Sequence, residues 1–227
     1  MLGLRILSTL FLAPVALTAV YFGSPAFELM IALFAPLMAW EWQTISARRF
    51  DRGGFLLGLA LIVAALVGGL FPLWGLVAVG VGLVLVTANA AFAQTRDPAG
   101  WMALGVVYLG LPLVALAWTR GVGAETVYWL FGVVWATDVG AYLVGRSLGG
   151  PKLAPMISPK KTWSGAVGGL AAAALVAAAA AALVGGGLAA LIGASLLVSV
   201  VSQLGDLFES HVKRRFQVKD SSRIIPG

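Results

Sequence analysis

The chain has 227 residues, 60% of them hydrophobic and only 11% charged, with a mean hydropathy of +0.98. A soluble domain of this length needs far more polar surface, so composition excludes the soluble classes and predicts an all-α, polytopic integral membrane protein; a β-barrel would show short alternating segments, which this chain lacks. The net charge of +6 comes from basic residues that flank apolar runs, so membrane orientation explains it without nucleic acid, and the absence of Cys removes disulfides and thiolate metal sites.

Apolar runs bounded by charged residues or by Gly, Pro and Asp predict about eight transmembrane helices, near residues 4–22, 27–45, 55–71, 73–93, 101–118, 126–144, 165–184 and 188–208. The break at Phe71-Pro72-Leu73 either separates two spans or kinks one longer hairpin. The first span has no clear small-residue cleavage site and reads as an anchor, not as a removed signal. One membrane domain, 1–227, is expected, with N-terminal spans over 1–125 and catalytic spans over 126–227 that carry a cytoplasmic loop, 145–164, and a tail, 209–227. In span seven, Gly165 and Gly169 make a small-xxx-small spacing that lets helix backbones approach, and Gly-rich surfaces of this kind permit a homodimer. Fourteen of the 15 Lys and Arg residues fall on alternate faces of this layout, with Arg120 on the other side. The positive-inside rule then places the N-terminus and both late charged segments in the cytoplasm, and the chain in the cell inner membrane.

Ionisable residues gather in two late clusters, Asp138 to Lys161 and Asp206 to Arg223. Carboxylates beside fixed cations at the edge of an apolar protein suit metal-assisted phosphate chemistry on a lipid. Asp138 lies inside span six and Asp206 inside span eight, each roughly 10 Å inward of the cations that follow it. An aspartate within a span costs about 2.5 to 3.5 kcal/mol on insertion scales, so a solvated, paired or metal-bound position is expected, the bland alternative being neutralisation by a neighbouring helix. Glu209 and Ser210 add oxygen within a turn of Asp206. The loop between spans six and seven is broken by Gly and Pro and supplies Ser158, Lys160 and Lys161, suited to phosphate oxygens or, equally, to anionic headgroups. The tail mixes five basic residues with Asp220 and three serines, closer to a nucleotide and metal cradle than to a simple anchor. His211, the single histidine, reads as a surface residue. No Walker-type glycine loop, zinc-protease helix or nucleophile elbow is present.

Ser210, Lys213-Arg214, Lys219-Asp220, Ser222, Ile225 and Pro226 fall at the spacing of the signature of phosphatidate cytidylyltransferases, and the chain resembles that family. Ser158-Pro159-Lys160-Lys161-Thr162-Trp163, the Asp138 to Arg146 segment and Gly205-Asp206 with Glu209-Ser210 share the resemblance. Ser164 departs from it, standing where many members carry Glu. The family signature also continues past the position of Gly227 with His-Gly-Gly and Leu-Asp-Arg-x-Asp, so the resemblance implies a truncated chain, with a further metal-binding Asp and a ninth helix in the complete family fold.

The activity implied by the resemblance is transfer of a cytidylyl group from CTP to phosphatidate, giving CDP-diacylglycerol and pyrophosphate in phospholipid biosynthesis. It implies Asp206, Lys219 and Asp220 as catalytic residues. Ser158, Lys160, Lys161, Ser210, Lys213, Arg214 and Ser222 would hold substrate phosphates. Asp206, Asp138 and Asp220 would hold Mg²⁺, with chemistry that accommodates a second metal ion. The implied partners are CTP, phosphatidate and the bilayer. Two other readings are a CTP-dependent polyprenol or phytol kinase, which would release CDP, and a cation- or proton-coupled transporter, which would place acids near the midplane on discontinuous helices.

Overall fold

The computed structural model describes residues 2–92, 99–185 and 187–218, with side chains for residues 8, 10–92, 100–185 and 187–218. Eight helices follow one another: α1 (Leu2–Phe22), α2 (Ala26–Ala47), α3 (Arg52–Gly68), α4 (Pro72–Phe92), α5 (Ala99–Val122), α6 (Ala124–Leu148), α7 (Trp163–Val184) and α8 (Leu188–Arg215). Among the described residues, five (α4, α5, α6, α7 and α8) are long and apolar enough to cross a bilayer. The architecture is that of an all-α polytopic membrane protein.

One open choice of the sequence reading is decided and two details differ from it. The break near Phe71 is a turn between two helices, with Pro72 opening α4 at the position where its missing N–H leaves no partner unsatisfied. Helix α8 runs on to Arg215, so the first part of the expected tail, from residue 209, is helical. The loop after α6 contains a two-stranded antiparallel hairpin, β1 (Lys152–Ala154) and β2 (Ser158–Thr162), with Lys152 opposite Thr162 and Ala154 opposite Ser158. Gly149 and Gly150, at φ +62° and +102°, take backbone conformations that side chains disfavour and so turn the chain from α6 into the hairpin.

The helices form two compact units, one up to Val127 and the other from Tyr128 onward. In the first, small residues again bring helices together: a Cβ on Gly82 of α4 would lie 2.4 Å from Ala60 of α3. The Trp42 indole N–H donates to the Trp101 carbonyl at 2.8 Å and fixes α2 against α5. Helix α3 begins at Asp51, whose carboxylate accepts from the Gly53 N–H at 2.8 Å and from the Gln43 amide at 2.6 Å, and pairs with Arg49 at 2.8 Å. Such a cap satisfies one of the donors a helix start leaves free.

In the second unit α6 and α7 meet almost backbone to backbone. A Cβ on Gly168 would lie 2.5 Å from Val144, and one on Gly140 would lie 2.8 Å from the Gly168 carbonyl. Gly165 presses on Ala141 in the same way, so the glycines of span seven are used within the chain for helix packing.

Burial by itself would raise the Asp51 carboxyl, but the Gln43 and Gly53 hydrogen bonds and the Arg49 charge outweigh it and hold the group below the ordinary carboxylate range. A lowered folded-state value contributes stability above the unfolded value, about 4, and that contribution is lost as pH falls through the folded one. Asp51→Ala is therefore expected to lower stability by about 1 kcal/mol at pH 7. In thermal unfolding in detergent, the gap to the unaltered chain narrows as pH drops below about 4, while Asp51→Asn, which still caps, stays closer to the unaltered chain at pH 7. For the helix contact, Gly168→Val is expected to destabilise by about 1 to 3 kcal/mol through overpacking. Gly80→Ala, where nothing lies within 4 Å, is neutral or stabilising in the same measurement.

Candidate active site

Helices α6, α7 and α8, with the hairpin between α6 and α7, line a cavity of about 620 Å³. Its volume falls within the range of sites that hold small molecules, about 300 to 1,000 Å³. Helix α6 supplies Asp138, Tyr142, Gly145 and Arg146, the hairpin supplies Lys152 and Pro159 to Thr162, α7 supplies Gly165 and Ala166, and α8 supplies Gln203 and Asp206. Both aspartates are exposed to this space, Asp206 over 49% of its side chain. That answers the insertion cost of a carboxylate within an apolar helix: each acid faces a cavity that also carries Lys and Arg side chains.

Local sequence explains why these groups converge. Thr162 closes β2 and caps α7, its hydroxyl accepting from the Gly165 N–H at 3.1 Å. Ser164 donates to the Gly149 carbonyl and lies 3.0 Å from the Thr162 hydroxyl, tying the start of α7 to the end of α6. Gly145 makes room for that cap, since a Cβ there would stand 2.9 Å from Thr162 Oγ1. The hairpin is thereby held over the gap between the helices, and Lys161 Nζ donates to Asp206 Oδ2 at 3.0 Å. The opposite end of β2 is steadied by Arg214, whose guanidinium donates to the Ile157 carbonyl at 3.4 Å.

The wall carries four cations, Arg146, Lys152, Lys160 and Lys161, against two carboxylates, Asp138 and Asp206. An excess of fixed positive charge in a concave site concentrates anions. Arg146 is oriented by Tyr142, donating to its hydroxyl at 2.7 Å. The Lys161–Asp206 pair is partly exposed, and pairs of that kind contribute about 1 kcal/mol or less, so an incoming phosphate or cation can exchange with it at little cost.

Among the described residues, no cluster of three or more His, Cys, Asp or Glu side chains has metal-ligating geometry. Mg²⁺ is commonly held by one or two carboxylates and completed by substrate phosphates and water. Asp138 and Asp206 fit that pattern.

Of the sequence-predicted site residues, Asp138, Lys160, Lys161 and Asp206 share the cavity. Ser158, Ser210, Lys213 and Arg214 do not line it: Ser158 opens β2, Lys213 pairs with Glu209 one turn back at 2.5 Å, and Arg214 holds the hairpin. Lys219, Asp220 and Ser222 lie outside the described residues. Lys152, Arg146, Tyr142 and Gln203 join the wall without having been assigned to the site from sequence. For Gln203 the sequence offers only its place one turn before Asp206 on α8, among other uncharged polar residues of that helix.

Comparison with known proteins supplies independent information. Residues 3–227 match the cytidylyltransferase family. The chain is 43% identical over 236 residues to the phosphatidate cytidylyltransferases of Brucella suis biovar 1 and Brucella melitensis biotype 1, covering 98% of this chain and 84% of each relative. It is 42% identical over 131 residues to the phosphatidate cytidylyltransferase of Staphylococcus aureus (strain COL), covering 57% of this chain and 50% of that relative.

Proposed function

Because the chain belongs to the cytidylyltransferase family, we propose that it transfers a cytidylyl group from CTP to phosphatidate, forming CDP-diacylglycerol and releasing pyrophosphate. The observation that supports this most directly is the shared cavity, in which two carboxylates and four cations line one space among apolar helices. A phosphate oxygen of phosphatidate attacks the α-phosphorus of CTP; the new P–O bond forms as the bond from that phosphorus to the β-phosphate oxygen breaks, and pyrophosphate carries away the electron pair. Both reactants are anionic, so positive charge must offset their repulsion before the oxygen and phosphorus can come into line.

Lys160, Lys161, Lys152 and Arg146 bind and orient the phosphates. Lys161 leaves Asp206 for a phosphate oxygen as substrate enters, which frees the carboxylate. Asp138 and Asp206 would hold Mg²⁺, and a bound divalent ion supplies charge neutralisation at the attacking and leaving oxygens. In this reading Ser210, Lys213 and Arg214, although outside the cavity wall, and Lys219, Asp220 and Ser222, which lie outside the described residues, also take part in phosphate and metal binding. In this reading the eight helices all cross the inner membrane, the N-terminus and the cavity face the cytoplasm, and the acyl chains of phosphatidate remain in lipid while the headgroup enters sideways. Positive charge on alternate faces supports that orientation.

Asp206→Asn is expected to lower turnover by about 100-fold or more while membrane insertion is retained, since it removes a charge that acts on the transferring group. Labelled CTP and phosphatidate in mixed micelles report the reaction: pyrophosphate and CDP-diacylglycerol are expected, and release of CDP with a phosphorylated alcohol would indicate a lipid kinase instead. Orientation is tested by introducing single cysteines into this Cys-free chain. Position 156, at the hairpin tip and 93% exposed, should react with an impermeant maleimide in inside-out vesicles, and position 123, before the other end of α6, in right-side-out ones.

A further inference from the structure

Gln203 is an uncharged polar group of the cavity wall to which no phosphate or cation role has yet been given, and its amide is held by polar neighbours. Its amide nitrogen lies 3.3 Å from Ser199 Oγ and 3.4 Å from the Ala166 carbonyl oxygen. A carbonyl oxygen can only accept, so the NH₂ end of the amide is the end turned towards α7. Its amide oxygen is therefore the end left for the cavity. Ser199 is fully buried and accepts in turn from the Thr137 hydroxyl at 2.9 Å, and Thr137, also fully buried, immediately precedes Asp138. Gly169 leaves the space for this junction: a Cβ there would stand 3.1 Å from the Thr137 carbonyl and 3.3 Å from the Gln203 nitrogen.

Buried hydroxyls each contribute little to holding helices together, because interhelical hydrogen bonds in membranes average only about 0.6 kcal/mol. They are well suited to fixing direction. Here they join the neighbour of Asp138 to a residue one turn from Asp206, and they set which way the amide between them points. A neutral amide oxygen is a good ligand for a hard cation. It adds coordination without adding negative charge that would repel a triphosphate.

We propose that Gln203 gives its amide oxygen as a third protein ligand to a divalent cation held between Asp138 and Asp206, and that Ser199 and Thr137 are positioning residues which fix that amide. The proposal rests on the cation-binding reading of the two aspartates given above.

It is tested by Mn²⁺ binding to the full chain in detergent, followed by electron paramagnetic resonance without nucleotide, so that no turnover is needed. Gln203→Leu is expected to weaken Mn²⁺ binding about 10-fold, and Ser199→Ala, which removes one of the two bonds that hold the amide, to weaken it by a smaller factor, with unfolding temperatures close to that of the unaltered chain. Should Gln203→Leu fail to fold, Gln203→Asn, which keeps the amide but withdraws it by one methylene, is expected to show the same loss. Mn²⁺ affinity within twofold of the unaltered chain in a folded Gln203 variant, with binding abolished by Asp206→Asn, overturns the inference and leaves the site reading standing. Undiminished Mn²⁺ binding by Asp206→Asn removes the premise, and the inference with it.

Discussion

Helices in lipid gain nothing from burying apolar surface against one another, because the surrounding tails are as apolar as Leu; what brings them together is close contact and a few directional bonds. In the second unit that contact is made by glycine. With Gly140 and Gly168 opposed and Gly145 and Gly165 beside the Thr162 cap, α6 and α7 approach until backbone touches backbone, and the chain between them needs only a short hairpin to return. The positions of Asp138, Lys160 and Lys161 follow. Asp138 faces the space below the hairpin, Lys160 and Lys161 hang over it, and α8 completes the wall with Asp206.

The electrostatic arrangement is complementary to a polyanion without being fixed. If Lys161 and Asp206 were enclosed by protein, separating them would leave two uncompensated charges, a loss of several kcal/mol that substrate would have to overcome. Their side chains keep 30% and 49% of their surface exposed, so water and substrate can take over either partner. The pair therefore keeps lysine over the site at low energy. The more rigid element is the hairpin itself, anchored at one end through the Thr162 cap and at the other through Arg214 and the Ile157 carbonyl.

Hydropathy reveals the helices because a span must be apolar over its whole length, and α4 through α7 begin and end within a few residues of their apolar runs. It reveals less where charge and helix coexist. Residues 209–215 look like a tail because they are polar, yet a helix already propagating through the span continues through them, aided by Glu209 and Lys213 at i and i+4 and by cations near its C-terminus. That same continuation explains why Lys213 and Arg214 stand outside the cavity wall. Asp138, Lys160, Lys161 and Asp206 are legible as a group because charge is rare in this sequence. Gln203 is not, since an uncharged amide stands out only once its neighbours across the helix interface are known.

Those neighbours form a series on α8, Ser195, Ser199 and Gln203, four residues apart and therefore on one face. Ser195 accepts from the Trp129 indole at 3.0 Å and Ser199 from Thr137, so both bonds run from α6 to α8. Apolar side chains alone allow two helices to slide or rotate past one another with little penalty. A hydroxyl bonded to a particular partner does not, because a shift by one residue turns it by about 100° and leaves it unsatisfied in a dry interior. The polar series thus fixes the register of α8 against α6, and register is what decides whether Asp206 faces Asp138. Phosphoryl chemistry tolerates little misplacement of its charged groups, about 0.5 Å in a productive site. Weak bonds that each contribute little to stability are sufficient for that task, and their placement along the line that ends at the two aspartates accounts for polar residues inside an otherwise apolar bundle.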